Sequence, residues 1–157
     1  MCYYVLMPKN SERDFQKFIK TNWSGFLSQL HPSPLGGSDI GIPDLLLGAS
    51  FGLLPCELKI GSISDNVLSV SEVRPSQISW HRRLAKAGFE SIFLVGVWAG
   101  GEKGKPNDAS SWRAYAIDGD MMEDWDNGFE IEIDAFEINT NSLMNEIDNF
   151  VFDYFGA

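Results

Sequence analysis

After Ser11, apolar residues recur at three- and four-residue spacing: Phe15, Phe18, Ile19, Trp23 and Phe26. That spacing lays one stripe along an α-helix. Ser11 is a suitable N-cap, and Glu12 and Asp14 in the first turn complement the helix dipole. The stretch from His31 to Ser38 is full of Pro, Gly and Ser and predicts a loop. Asp44–Ala49 and Leu53–Ile60 then read as two buried strands joined by a turn near Ser50–Gly52. Gly61–Glu72 is polar and predicts a mobile loop. Pro75 at a first helical turn and Gly88 as a stop predict a second helix between them. In that helix Trp80, Leu84 and Ala87 are the expected core contacts.

Farther on, Ser91–Trp98 reads as a core strand and Ala99–Ser111 as a loop. Trp112–Ile117 and Phe129–Phe136 read as further strands, the second alternating apolar and acidic residues. Asn141–Phe155 reads as a closing amphipathic helix. Phe150, Phe152, Tyr154 and Phe155 crowd it and cannot all face one side. Strands and helices interleave in this order, which predicts an α/β domain with a mixed central β-sheet flanked by helices. At 157 residues the chain suits a single domain, 1–157, with a real core.

Charge changes this picture in one respect. The net charge is −10, yet no Lys or Arg follows Arg113, and twelve acids lie between Asp118 and Asp153. The other ten acids share residues 1–117 with all twelve basic residues. A near-neutral body thus carries an acidic C-terminal strand-helix extension, residues 112–157. Its apolar runs are far short of a membrane span, so no membrane partner is expected. No basic-then-apolar leader opens the sequence, and Cys2 and Cys56 are the only cysteines. Both observations predict a reducing cytoplasm.

Three features carry candidate chemistry: Gly41-Ile42-Pro43-Asp44 entering an apolar strand, Glu57-Leu58-Lys59 in the partner strand, and Gln77 on the following helix. Side chains alternate along a strand, so Glu57 and Lys59 share one face while Cys56, Leu58 and Ile60 share the other. With the apolar set in the core, Glu57 and Lys59 face a cleft that Asp44 reaches from the neighbouring strand. Two carboxylates beside a lysine suit a divalent-metal phosphodiesterase. Asp44 and Glu57 hold Mg²⁺ or Mn²⁺, and the Leu58 carbonyl is a further oxygen for it. The cation polarises the phosphate and activates a water. Lys59 either orients that water or stabilises charge in the transition state.

These residues resemble the PD-(D/E)xK nuclease superfamily, and within it the virus-type replication-repair nuclease domain and the Holliday-junction resolvases. The stretch Arg74–Phe89, with Gln77, Trp80, Leu84 and Ala87-Gly88, is similar to that family's helix, and Ile92–Val97 to its next strand. The resemblance covers roughly residues 10–98. It implies a restriction-endonuclease-like core, with Asp44 and Glu57 as metal ligands, Lys59 as the catalytic lysine and Gln77 as a supporting polar residue. It also implies an acid from the first helix, which Glu12 matches by position, and a homodimer with two cutting sites. Viral or phage origin, and hence a host cytoplasm, is suggested by the resemblance alone. The chain departs from the pattern at Arg74, where a Ser or Thr is usual. It departs again at Leu35–Asp39, where a basic segment is usual.

The function expected is therefore a metal-dependent DNA endonuclease. No helix-turn-helix or zinc motif is present, so DNA structure (a branch, flap or junction) is the expected determinant. Gln77 and His81 share a helix face, with Gln77 expected on a metal-bound water or a backbone group near Lys59. Arg74, His81, Arg82, Arg83 and Lys86 are the candidate DNA contacts, with Lys103 and Lys105 as a possible clamp. The rival reading is a non-cleaving nuclease-fold binding protein, an accessory subunit or an acidic DNA mimic, motivated by the acids after Asp118.

Overall fold

The computed structural model describes residues 12–30, 42–70, 73–100, 108–121 and 137–156. Ser11, the 31–38 loop, Lys103, Lys105 and the 129–136 strand lie outside the described residues. The chain folds as α/β, with three α-helices and a mixed sheet of seven strands among the described residues. In chain order these are α1 (Glu12–Asn22), β1 (Phe26–Gln29), β2 (Leu45–Ala49), β3 (Gly52–Ser64), β4 (Val67–Val70), α2 (Pro75–Lys86), β5 (Ile92–Trp98), β6 (Trp112–Asp118), β7 (Glu137–Ile138) and α3 (Leu143–Phe155). The strands lie in the order β1-β2-β3-β5-β6-β7, and β4 hairpins back onto the far end of β3. Among the described residues only β3 and β5 are parallel, and α2 makes the crossover between them.

One face of the sheet is covered by α1 and α3. The α1 stripe Phe15, Phe18 and Ile19 is fully buried, with Trp23 just past the helix end. From α3 come Leu143, Ile147 and Val151, at the four-residue spacing of one helical face. Cys56 and Leu58 of β3, with Ile92 and Leu94 of β5, meet them from the sheet. Gly96 sits beneath Phe15, where a Cβ would come within 2.5 Å of the ring. Residues 112–118 pair with β5 and α3 fills the same core, so the C-terminal part completes the sheet.

The opposite face carries Phe93, Val95, Tyr115 and Ile117, covered by α2 and by Leu68 of β4. Here the structure corrects the sequence reading twice. Gly61–Glu72 is not simply a loop: β3 runs on to Ser64, and Asp65-Asn66 turn the chain into β4. Both turn residues have positive φ, 51° and 63°, a conformation that Asn and Asp tolerate and that suits a two-residue hairpin. In α2, the buried positions are Gln77 and His81, while Trp80 and Leu84 are half-buried and Ala87 is exposed. A third correction concerns Phe26, which lies on β1 and not on the first helix. Helix α2 does begin at Pro75 and is followed by Gly88 at φ 84°, as its punctuation predicts. Among the described residues, no helix is long and apolar enough to cross a membrane.

Candidate metal centre

The site forms where β2 and β3 part. Their pairing runs from Ala49↔Gly52 to Leu45↔Cys56. Beyond it, Asp44 substitutes a side-chain bond for a ladder bond, with its Oδ2 accepting from the Leu58 amide at 2.8 Å. The Asp44 carbonyl accepts from the Leu30 amide at 2.9 Å. Backbone therefore grips Asp44 from two sides, with its carboxyl beside that of Glu57.

Alternation along β3 works as expected. Cys56 and Leu58 enter the apolar core, and Glu57 and Lys59 project from the other face. Both are nearly enclosed, at 3% and 4% exposure. Gln77 reaches Glu57 from the first turn of α2, its Nε2 donating to Glu57 Oε1 at 2.6 Å. Its own Oε1 accepts from the Arg74 amide at 3.0 Å. The amide is thus anchored at both ends: one end caps the helix start, the other holds the carboxylate.

Glu57 Oε2 is buried with no hydrogen-bond partner among the described residues. Burial, then the neighbouring Asp44 charge, push the Glu57 carboxyl up to about 9, and Lys59 offsets only part of this. Such a group is short of positive charge. A side-chain interaction with the Asp44 carboxyl raises the Glu57 carboxyl further, and a hard cation between the two carboxyls would take the place of the Glu57 proton. The described residues hold no cluster of three or more His, Cys, Asp or Glu side chains that could bind a metal. Two carboxylates are nonetheless enough for Mg²⁺, which commonly takes one or two and keeps several waters.

Glu12 reaches the cluster from the first turn of α1. Its Oε1 stands 3.8 Å from Lys59 Nζ, and it does not join Asp44 and Glu57 in one donor group. Burial raises the Glu12 carboxyl, with Lys59 opposing. Glu12 thus borders the same cluster: its charge acts on Glu57, and that of Asp44 acts on it. Leu58 buries its side chain in the core and gives its amide to Asp44.

The candidate DNA contacts divide. Arg74 is exposed at the start of α2, close enough for its charge to act on Glu12. Arg83 and Lys86 are exposed farther along, and Arg82 is half-buried. His81 cannot touch a phosphate, being fully buried with its ring 4.5 Å from that of Phe93. Its Nδ1 pairs with Ser91 Oγ at 2.6 Å, and burial lowers its pKa to about 4, so the ring is neutral. The sequence reading missed the roles of Ser91 and of the Leu58 amide. Neither has a sequence signal, because both contacts arise only when separate elements meet. No family model, curated protein or solved structure matches this chain.

Proposed function

We propose that the protein is a metal-dependent endonuclease with a restriction-endonuclease-like core, hydrolysing DNA phosphodiesters at the Asp44–Glu57–Lys59 cluster. The observation that carries the reading is the enclosed Glu57 carboxyl, with one oxygen held by Gln77, the other without a geometric hydrogen bond among the described residues, and the Asp44 carboxyl against it. Asp44 and Glu57 are the residues that would hold Mg²⁺ or Mn²⁺. When bound, the cation would polarise the phosphate and lower the pKa of a water. The chain's own residues do the rest. The Leu58 amide fixes Asp44, and Gln77 fixes Glu57, so neither carboxylate must reorganise during the reaction. Lys59, presented on the same strand face, supplies positive charge where the phosphate gains negative charge. Glu12 orients the Lys59 ammonium, and Arg74 lies at the mouth to receive a flanking phosphate.

We assign DNA of branched, flapped or junction form as substrate, and a homodimer as the working unit for cutting two strands. The test is cleavage of linear, flapped and four-way-junction DNA with Mg²⁺ or Mn²⁺, beside Lys59→Ala. Metal-dependent cutting that disappears in the variant supports the assignment. Undiminished cutting by Lys59→Ala would overturn it. No cutting by wild-type protein on any of these substrates would favour the non-cleaving binding protein instead.

A further inference from the structure

The sheet face that carries Glu57 and Lys59 continues beyond the site. Residues paired across strands project to the same side. Gly48 pairs with Phe26 on β1 and with Leu53 on β3, and Leu53, Pro55, Glu57 and Lys59 alternate onto one side. Helix α2 covers the β3–β5–β6 part of this face. Over the β1–β2 part, Phe26 and Leu53 are 58% and 63% exposed, while Leu45, Leu47 and Leu54 on the reverse side are buried.

Phe26 and Leu53 form one surface. A Cβ at Gly48 would lie 3.0 Å from Phe26 Cβ and 3.3 Å from Leu53 Cδ2, so both side chains close over the glycine. The strip of Phe26, Ser28, Leu46, Gly48, Leu53 and Pro55 is uncharged. It has nothing to offer a phosphate, but it matches a flat, neutral, apolar ligand. Leu53 is four positions from Glu57, about 13 Å along the strand, which corresponds to about four nucleotides stacked at ~3.4 Å.

We propose that this strip is a stacking platform for unpaired nucleobases of the strand whose phosphate enters the Asp44–Glu57 site. Phe26 and Leu53 then determine a preference for single-stranded or flapped DNA over full duplex. The assignment rests on the nuclease reading and deepens it. A duplex keeps its base faces inside its own stack, and only an unpaired segment presents them. Aromatic and apolar platforms beside a backbone-binding groove recognise single strands without reading sequence.

The test uses the whole chain with Ca²⁺ in place of the catalytic metal, so that the probe is not consumed. Binding of a short labelled oligodeoxythymidylate is followed by fluorescence anisotropy. Controls are the same backbone made abasic and a blunt duplex. The double variant Phe26→Ala, Leu53→Ser should bind the oligonucleotide about tenfold more weakly. Its binding to the abasic strand and to the duplex should match wild type. Equal oligonucleotide binding by wild type and variant would overturn the platform, as would no binding by wild type. So would a variant that loses only self-association in ultracentrifugation, which would make the strip a contact between copies. Failure of the nuclease reading looks different: base-dependent binding that needs Phe26, but no cleavage with Mg²⁺ or Mn²⁺.

Discussion

The two faces of the sheet are closed by opposite means. On the α1–α3 face the inward side chains are apolar, Phe15, Phe18, Ile19, Leu143, Ile147 and Val151 against Cys56 and Leu58. On the α2 face the helix turns Gln77 and His81 inward, toward Glu57 and Ser91. The first face is built for stability, since each side chain there removes apolar area from water. The second encloses polar groups that must be matched one by one, and among the described residues Glu57 Oε2 and His81 Nε2 are left without a hydrogen-bond partner. On the proposed reading, the difference marks the candidate site. A helix that turns its polar side inward, with an unfilled acceptor beneath it, stabilises the fold less than it could and leaves a place for a cation.

Substitutions can break this contrast. The largest expected effect is catalytic: Lys59→Ala should lower metal-dependent cleavage by ~10²–10³-fold, in line with removal of one preorganised charge-stabilising donor. Single-turnover rates would check it. Phe18→Ala on the apolar face should cost about 3–5 kcal/mol in urea unfolding while leaving divalent-cation affinity unchanged. A large change in affinity would mean that the faces are coupled. Gln77→Ala should cost about 1–3 kcal/mol, because it unpairs a buried Glu57 oxygen and the Arg74 amide, and it should also weaken Mn²⁺ binding by calorimetry.

Protonation sharpens the contrast further. The folded protein holds the Glu57 proton up to about 9, whereas the ordinary value is 4.5. Between those limits the folded state binds more protons than the unfolded chain, so this contribution is complete below pH 4.5 and is lost as pH rises toward 9. His81 acts in the other sense, its pKa falling from 6.5 to about 4. Its contribution is complete above pH 6.5 and is lost as pH falls toward 4. The slopes oppose each other in mildly acidic solution, and Glu57 alone acts above pH 6.5. Melting curves of metal-free Glu57→Gln should therefore lie above wild type at pH 8, and the gap should close when Mg²⁺ or Mn²⁺ is added to the wild type. The smallest effect belongs to the exposed outer side of α2. Arg83→Ala and Lys86→Ala should change stability by less than ~0.5 kcal/mol, and each should reduce the salt dependence of DNA binding by about one unit of slope.

The same contrast explains what was legible in the sequence. Strand alternation is a strict two-residue period, so Glu57 and Lys59 were separable from Cys56 and Leu58 without coordinates. The α1 stripe was legible because its periodic apolar residues are the buried ones, up to Trp23. At Phe26 the stripe misled, because the chain had already left the helix and begun β1. In α2 the rule that apolar residues point inward chose Trp80, Leu84 and Ala87. It failed because the surface facing that helix holds a carboxylate and a serine, and only Gln77 and His81 can satisfy them. The β4 hairpin was hidden by its serines, although Asp65-Asn66 was a turn signal inside the supposed loop. The exposed residues Phe26 and Leu53 had no distinguishing sequence mark, since an apolar residue on a strand is ordinarily taken as core.

Strand β3 holds two functions in a single reading frame. Its thirteen residues carry the turn partner of β2, the Glu57–Lys59 pair, the parallel seam with β5 and the outer hairpin. A deletion of one residue between Leu53 and Cys56 would shift the phase of everything before it relative to everything after it. If β3 kept its pairing with β2, Glu57 and Lys59 would rotate into the apolar layer and Leu58 would rise into the cleft. The chain would lose its core and its carboxylate together. The turns at either end of this strand can vary in length, but the parity of the strand cannot, so insertions that preserve activity should cluster outside residues 53–60.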